Sequence, residues 1–329
     1  PACYGRGGTQ PTITDCNLVL GYLSPDNFLG GKMRLDIGAA RRAIDTAVAG
    51  PLGMSVMDAA EGIVRIINVK MQEAIKAIST MRGHDLRDFK LLAFGGAGPL
   101  HAASMAADLG MAGVVIPLYP GVYSAMGLVM SDVKHDYIRS RLVNLTRITE
   151  DEINAVFAEL AAQARADLTG EEFPVERIGI EYALDMRYAG QGYEMTLSCP
   201  HPLKPDALSA LRREFDEEHR KSFGHTAPSE PVEIVSWRLR GVGRVPPVTL
   251  PKYEAAGLRL DAAVREVRQA RFQGKILDCP VYQRERLDVG VTFAGPAIVD
   301  QLDCTSVIAP GQIATVDDYK NLIVGTGAV

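Results

Sequence analysis

The stretch that most restricts the fold is residues 91–110, LLAFGGAGPLHAASMAADLG. An apolar run ending in Phe94 reads as a buried strand, and the alanine-rich segment from Gly98 reads as a helix. Gly95, Gly96, Ala97 and Gly98 stand between them, followed by Pro99. Pro99 suits a first helical turn, where its missing N–H costs nothing. GVVIP then reads as a second strand, so strand, loop, helix and strand form a βαβ unit and predict a parallel sheet covered by helices. The bare turn keeps two readings. Glycines without Cβ let a ligand approach the unpaired N–H donors of a helix N-terminus, or they let helix and strand pack closely. Neither G-x-G-x-x-G nor the Lys-Ser/Thr of a P-loop is present, so two common nucleotide fingerprints fail.

Around this unit the chain reads as α/β. TDCNLVLGYL has apolar residues at helical spacing behind a Thr or Asp cap, and DIGAARRAIDTAVA reads as an amphipathic helix ended by Gly50-Pro51. A longer helix is expected from Ser55 to Met81. Met57, Ala60, Ile63, Val64, Ile67, Met71, Ile75 and Ile78 give its apolar period, and Gly83 stops it. KHDYIRSRLVNL reads as a strand, and a domain boundary is placed near residue 147. Residues 1–147 thus form one domain and residues 148–329 an α+β domain. The second opens on the helix DEINAVFAELAAQARADL and ends in strands and turns from Arg271.

Charge and cysteine usage exclude several classes. A net charge of -5 and a pI near 5.8 argue against a nucleic-acid or anionic-membrane partner, which would favour a basic face. No apolar run approaches the roughly 20 residues of a membrane-spanning helix. The opening PACYGRGG lacks the charged and apolar regions of a signal peptide. The 5 cysteines have no C-x-x-C spacing. They read as reduced, structural thiols of a cytoplasmic protein.

Candidate chemistry is sparse. Gly7-Gly8-Thr9, within GRGGTQPTITD, is a turn that could present N–H groups and a hydroxyl. Asp15 just after it reads either as a metal ligand or as the cap of the next helix. His101 lies one turn into the helix behind the glycine loop, within reach of a ligand there, or it is a packed histidine. His84-Asp85 and His135-Asp136 lack the i, i+4 spacing of a helical zinc site. Asp185-Met186-Arg187-Tyr188 and Gly190-Gln191-Gly192 read as a structural or interface hairpin, and no G-x-S-x-G elbow is present. No catalytic residue is identifiable.

Longer motifs carry a resemblance. PACYGRGGTQPTITDCNLVLGYLSPDNFLGG, AFGGAGPLHAASMAADLGM, PGVYSAMGLVMSDVKHDY, DMRYAGQGYE and VYQRERLDVGVTFAGPAIVDQLDCTSVIAPG occur in that order along the chain. Together they resemble the hydantoinase A/oxoprolinase family. The resemblance implies the C-terminal half of an A-type subunit, with a partial actin/sugar-kinase/Hsp70-like ATPase domain ahead of the α+β domain. It implies ATP with Mg2+ or Mn2+, used to phosphorylate the carbonyl oxygen of a cyclic amide before hydrolysis, or a ketone before carboxylation. By the same resemblance Gly95, Gly96, Ala97 and Gly98 form the adenosine wall. Gly7, Gly8 and Thr9 form a second nucleotide-facing loop, and Asp15 is the candidate metal ligand. The implied partners are an N-terminal half of the same subunit, without which no ATP turnover is expected, and a B-type subunit. A non-catalytic scaffold for that B-type subunit is the competing expectation.

Overall fold

Thr12 and Asp15 start the first helix together: the Thr12 side chain accepts from the Asp15 backbone N–H, and the Asp15 carboxylate accepts from the backbone N–H of Thr12. This helix, α1 (Ile13–Val19), packs with α2 (Ile37–Ile44) and the long α4 (Val56–Ile78) in one apolar cluster. The structure, a computed structural model, describes residues 1–327; residues 328 and 329, the end of the expected second domain, lie outside the described residues.

The helix expected to stop at Gly50-Pro51 runs on. After α2 the chain widens into a π-helical stretch, Asp45–Ala49, and continues into the short α3 (Gly50–Leu52) before Gly53 ends it in the left-handed region. Pro51 removes an N–H donor and its ring crowds the preceding turn, and the wider π turn accommodates both. Helix α4 follows the expected span more closely. Ser55 caps it by accepting from the Asp58 N–H, and Gly83 (φ 84°) ends the 3-10 turn after it. Its buried row differs from a purely apolar one: Ala60, Val64, Asn68 and Gln72 succeed each other at i, i+4, and Gln72 Nε2 donates to Asp108 at 2.9 Å.

The βαβ unit is present. Strand β1 (Lys90–Leu92) pairs in parallel with β2 (Gly113–Ile116), joined by α5 (Gly98–Asp108). The sheet they begin is not the parallel one expected. Its remaining strands come from the C-terminal region and give the order β1-β2-β13-β12-β9. Strand β13 (Leu322–Gly325) runs antiparallel to β2, and β12 (Ile313–Val316) joins β13 to β9 (Thr292–Ala294). A second sheet, β11-β10-β8-β7, contains β7 (Val264–Phe272), β8 (Lys275–Gln283), β10 (Ala297–Asp300) and β11 (Thr305–Ile308). Ala102, Ala103 and Ala106 of α5 share one core with Val114, Ile116, Ile308 and Val324, small side chains letting the helix lie close to the strands.

Two compact units result, Pro1–Gly127 with Thr249–Val329, and Leu128–Val248, so the division falls inside α6 (Tyr123–Val129). These contact-defined units divide the chain differently from the boundary expected near residue 147. Strand β3 (Val133–Asn144) belongs to the second unit, and the strands after residue 263 return to the first. The second unit is an antiparallel sheet of order β3-β6-β4-β5, with β4 (Ile178–Tyr188), β5 (Met195–Ser198) and β6 (Val232–Gly243). Helices α7 (Glu150–Gly170) and α8 (Ala207–Phe223) join Leu184, Met186, Leu197, Ile234 and Trp237 in its core. Its polar face buries Asp185, which accepts from Ser236 at 2.5 Å, Thr196 at 2.6 Å and Arg238 at 2.5 Å. Asp185 is thus held within the sheet, while Gly190 and Gly192 of the turn that follows are exposed. Among the described residues no helix is long and apolar enough to cross a membrane.

Candidate functional site

The glycine loop fills the gap between β1 and α5. Ala93 still donates to Val115 O at 2.9 Å, and Gly95 then turns at φ 79°, a conformation that disfavours any Cβ, and donates to Pro120 O at 2.7 Å. Helix α5 begins at Gly98 with Pro99 in its first turn, and Ala97 at the cap position supplies no side-chain acceptor. The first-turn N–H groups are thus left without a side-chain cap.

Beside this helix start lies a cavity of about 500 Å³. Gly96, Ala97, Leu100 and His101 form one wall. Helix α1 supplies Ile13, Thr14 and Asn17, the loop after it supplies Leu23, Phe28 and Met33, and the turn between β10 and β11 supplies residues 300–305. Apolar surface dominates the lining, and polar side chains such as Arg6, Ser24, Asn27 and Gln301 are interspersed with it. Asp300 in this wall is held by Arg265 at 2.7 Å, and Asp303 is its other carboxylate.

The sequence candidates separate here. Gly96 and Ala97 line the cavity, while Gly95 and Gly98 flank it and shape the turn. Gly7, Gly8 and Thr9 are exposed and not part of the wall, although their neighbours Tyr4 and Arg6 are. Asp15 is fully buried, and its carboxylate accepts from Ala2 N at 3.1 Å, Cys3 N at 2.7 Å, Thr12 N at 2.8 Å and Thr12 Oγ1 at 2.8 Å. Four donors match the lone-pair sites of a carboxylate. Burial alone would raise the Asp15 pKa; these donors outweigh it and hold the group below its ordinary value. Of its two readings the structure gives the cap, and no cluster of three or more His, Cys, Asp or Glu suited to a metal ion occurs among the described residues.

His101 is in the wall and 6% exposed. Its Nδ1 lies 2.8 Å from Asn68 Oδ1, and its Nε2 lies 3.4 Å from Asn17 Nδ2. Burial lowers its pKa below the ordinary 6.5, so the ring is neutral at pH 7. Asn17 and Asn68 were not among the sequence candidates. The available signal was Asn68 continuing the buried i, i+4 row of α4, a polar residue where the period calls for an apolar one.

A glycine-framed helix start at the end of a strand, opening on a cavity, sits here in a mixed α/β fold. This chain belongs to the hydantoinase/oxoprolinase family: the family model, Hydantoinase/oxoprolinase, matches residues 1–137, and the Hydantoinase/oxoprolinase C-terminal domain matches residues 144–324. It is 34% identical over 325 residues to caprolactamase subunit alpha of Pseudomonas jessenii, covering 96% of this chain and 46% of that protein. It is also 34% identical to the acetophenone carboxylase gamma subunit of Aromatoleum aromaticum, covering 97% of this chain and 45% of that one. The nucleotide-free structure of an ATP-dependent acetone carboxylase superposes with a TM-score of 0.83 at 25% identity, over 98% of this chain and 48% of that chain. The chain thus spans about half the length of the relatives it matches.

Proposed function

We propose that this chain is the C-terminal portion of an ATP-dependent cyclic-amide hydrolase, with the cavity at the start of α5 as its ligand-binding half-site. The observation that carries this reading is the wall itself, where the uncapped first turn at Gly96 and Ala97 shares one cavity with apolar side chains of α1 and the loop after it. The adenosine of ATP fits that chemistry: backbone N–H groups at a helix N-terminus suit a nucleotide's polar edge, and apolar side chains suit the base. Gly95 and Gly98 would shape the turn. Gly7, Gly8 and Thr9 would act only indirectly, through Tyr4 and Arg6. Mg2+ or Mn2+ fits through Asp303 rather than Asp15, because an ion held largely by substrate phosphates needs only one or two carboxylates. ATP would supply the phosphoryl group that turns an amide oxygen into a leaving group. This chain's residues would bind and orient, and turnover would need the remaining half of the subunit and a B-type partner. Five buried cysteines fit a reducing, cytoplasmic setting.

A second reading, part of an ATP-dependent ketone carboxylase, is favoured by the equal identity to the acetophenone carboxylase subunit and by the acetone carboxylase superposition. Calorimetric titration of Mg-ATP into this chain, with Gly96→Arg as control, tests the part common to both. Gly96 is exposed, and an added Cβ would meet the Asp303 backbone oxygen at 3.2 Å, a tight contact, so the variant is expected to lose binding and its melt is recorded beside the titration. Absence of binding, or binding retained in Gly96→Arg, refutes the nucleotide site. Tight B-type subunit binding that ATP leaves unaltered would then point to the scaffold. With the missing half and a B-type partner supplied, ATP-driven loss of a lactam against carboxylation of a ketone separates the two enzymes.

A further inference from the structure

Three buried side chains from three helices form a chain of hydrogen bonds that ends at the cavity. Asn68 of α4, His101 of α5 and Asn17 of α1 are 6%, 6% and 1% exposed. A neutral imidazole has one donor nitrogen and one acceptor nitrogen. Asn68 faces His101 Nδ1 with its Oδ1, which only accepts, at 2.8 Å, and the tautomer that matches this arrangement carries its proton on Nδ1. His101 Nε2 is then the acceptor, and the Asn17 group facing it at 3.4 Å is the Nδ2 amide, a donor. Each link fixes the next.

The last link leaves one atom over. Asn17 Oδ1 is buried and has no hydrogen-bond partner, and Asn17 is part of the cavity wall. Among the described residues, the other buried side-chain atoms without a partner belong to His201, Trp237, Arg268 and Arg284, none of which lines this cavity. An orphaned buried carbonyl beside a cavity calls for a donor from something that enters it. With His101 in that tautomer, rotating the Asn17 amide alone would set Oδ1 against an acceptor nitrogen and leave Nδ2 as the buried atom without a partner.

We propose that Asn17 is a specificity-determining residue whose Oδ1 accepts a hydrogen bond from a planar N–H donor of the ligand, with His101 and Asn68 as positioning residues that set its amide. This rests on the cavity being the site proposed above. That reading offers two sources of the same chemistry, the exocyclic amine of adenine and the ring N–H of a cyclic amide. A ligand with an acceptor at that position would face a second acceptor and be rejected.

The test compares two ligand pairs on this chain by calorimetry: ATP against purine riboside triphosphate, which lacks only the amine, and a lactam against the matching lactone. Nitrogen-15 spectra of His101 report the imidazole tautomer without any ligand. The expected result is a proton on Nδ1 and about tenfold tighter binding of the N–H-bearing member of one pair, the amount one hydrogen bond confers. The preference should vanish in Asn17→Leu while the donor-lacking member binds as before. Discrimination within the nucleotide pair assigns the donor to adenine, and within the amide pair to the substrate. A proton on Nε2, or equal binding within each pair that binds, overturns the proposal while leaving the proposed site intact. Failure of both pairs to bind overturns the site reading and this proposal together.

Discussion

The carboxylate of Asp303 occupies the space that a side chain on Gly121 would fill. Asp303 lines the cavity, and Gly121 follows Pro120, whose carbonyl accepts from the Gly95 N–H at 2.7 Å. The glycine loop, the PGV turn and the β10–β11 turn therefore hold one another. Gly121→Ala should displace Asp303 and lower stability by about 1–3 kcal/mol, the usual cost of overpacking. Calorimetry should show weaker ligand binding as well. Adding Asp303→Gly should recover much of the melt but not the binding. An unchanged melt in Gly121→Ala would show that the turn yields freely.

Asp15 should matter for folding and not for metal. Asp15→Ala removes acceptors from three backbone N–H groups and one hydroxyl, so a loss of about 2–3 kcal/mol is expected in chemical denaturation. A chelator should leave the melt of the unaltered chain where it is. A chelator-induced drop that Asp15→Ala abolishes would restore the metal reading.

Acid should weaken the second unit through Asp185. Burial alone would raise its pKa, but donors from Ser236, Thr196 and Arg238 outweigh burial and hold it below 3.8. A depressed carboxylate contributes stability that is present above its unfolded pKa and is lost as pH falls through the folded one. Urea titrations from neutral pH to below pH 3.8 should therefore show a decline that is shallower in Asp185→Asn. Parallel curves for the two proteins would count against this assignment.

The cysteines should be inert until the chain unfolds. Cys3, Cys16, Cys199, Cys279 and Cys304 are all buried, and burial pushes each thiol up to about 12. A thiol-specific chromogenic reagent should react slowly with native protein and with all 5 thiols in denaturant. Fast reaction of any one in the native state would single it out as a functional thiol.

Much of the local structure was legible because local chemistry sets it. The β1–α5–β2 unit, the helix behind Ser55 and the glycine turn follow from period, caps and the absence of Cβ. What escaped the sequence depends on distant partners. Nothing in LIVG says that β13 will lie against β2, and nothing local marks Pro51 for a π turn rather than a stop. The site divided the same way. Gly96 and Ala97 were found from their position before a helix, whereas Asn17 and Asn68 acquire meaning only once α1, α4 and α5 meet at His101.

The antiparallel pairing of Val114 with Val324 also sets an order of events. On a ribosome, β2 emerges long before its neighbour exists, and that edge stays open until residues 322–325 are made. The unit from Leu128 to Val248 has all its own strands in one uninterrupted segment, so it can complete its sheet while the first is still open. The inserted unit can thus complete its sheet first, and closing the first sheet, with the 300–305 wall of the cavity, has to wait for the strands from Thr292 to Gly325.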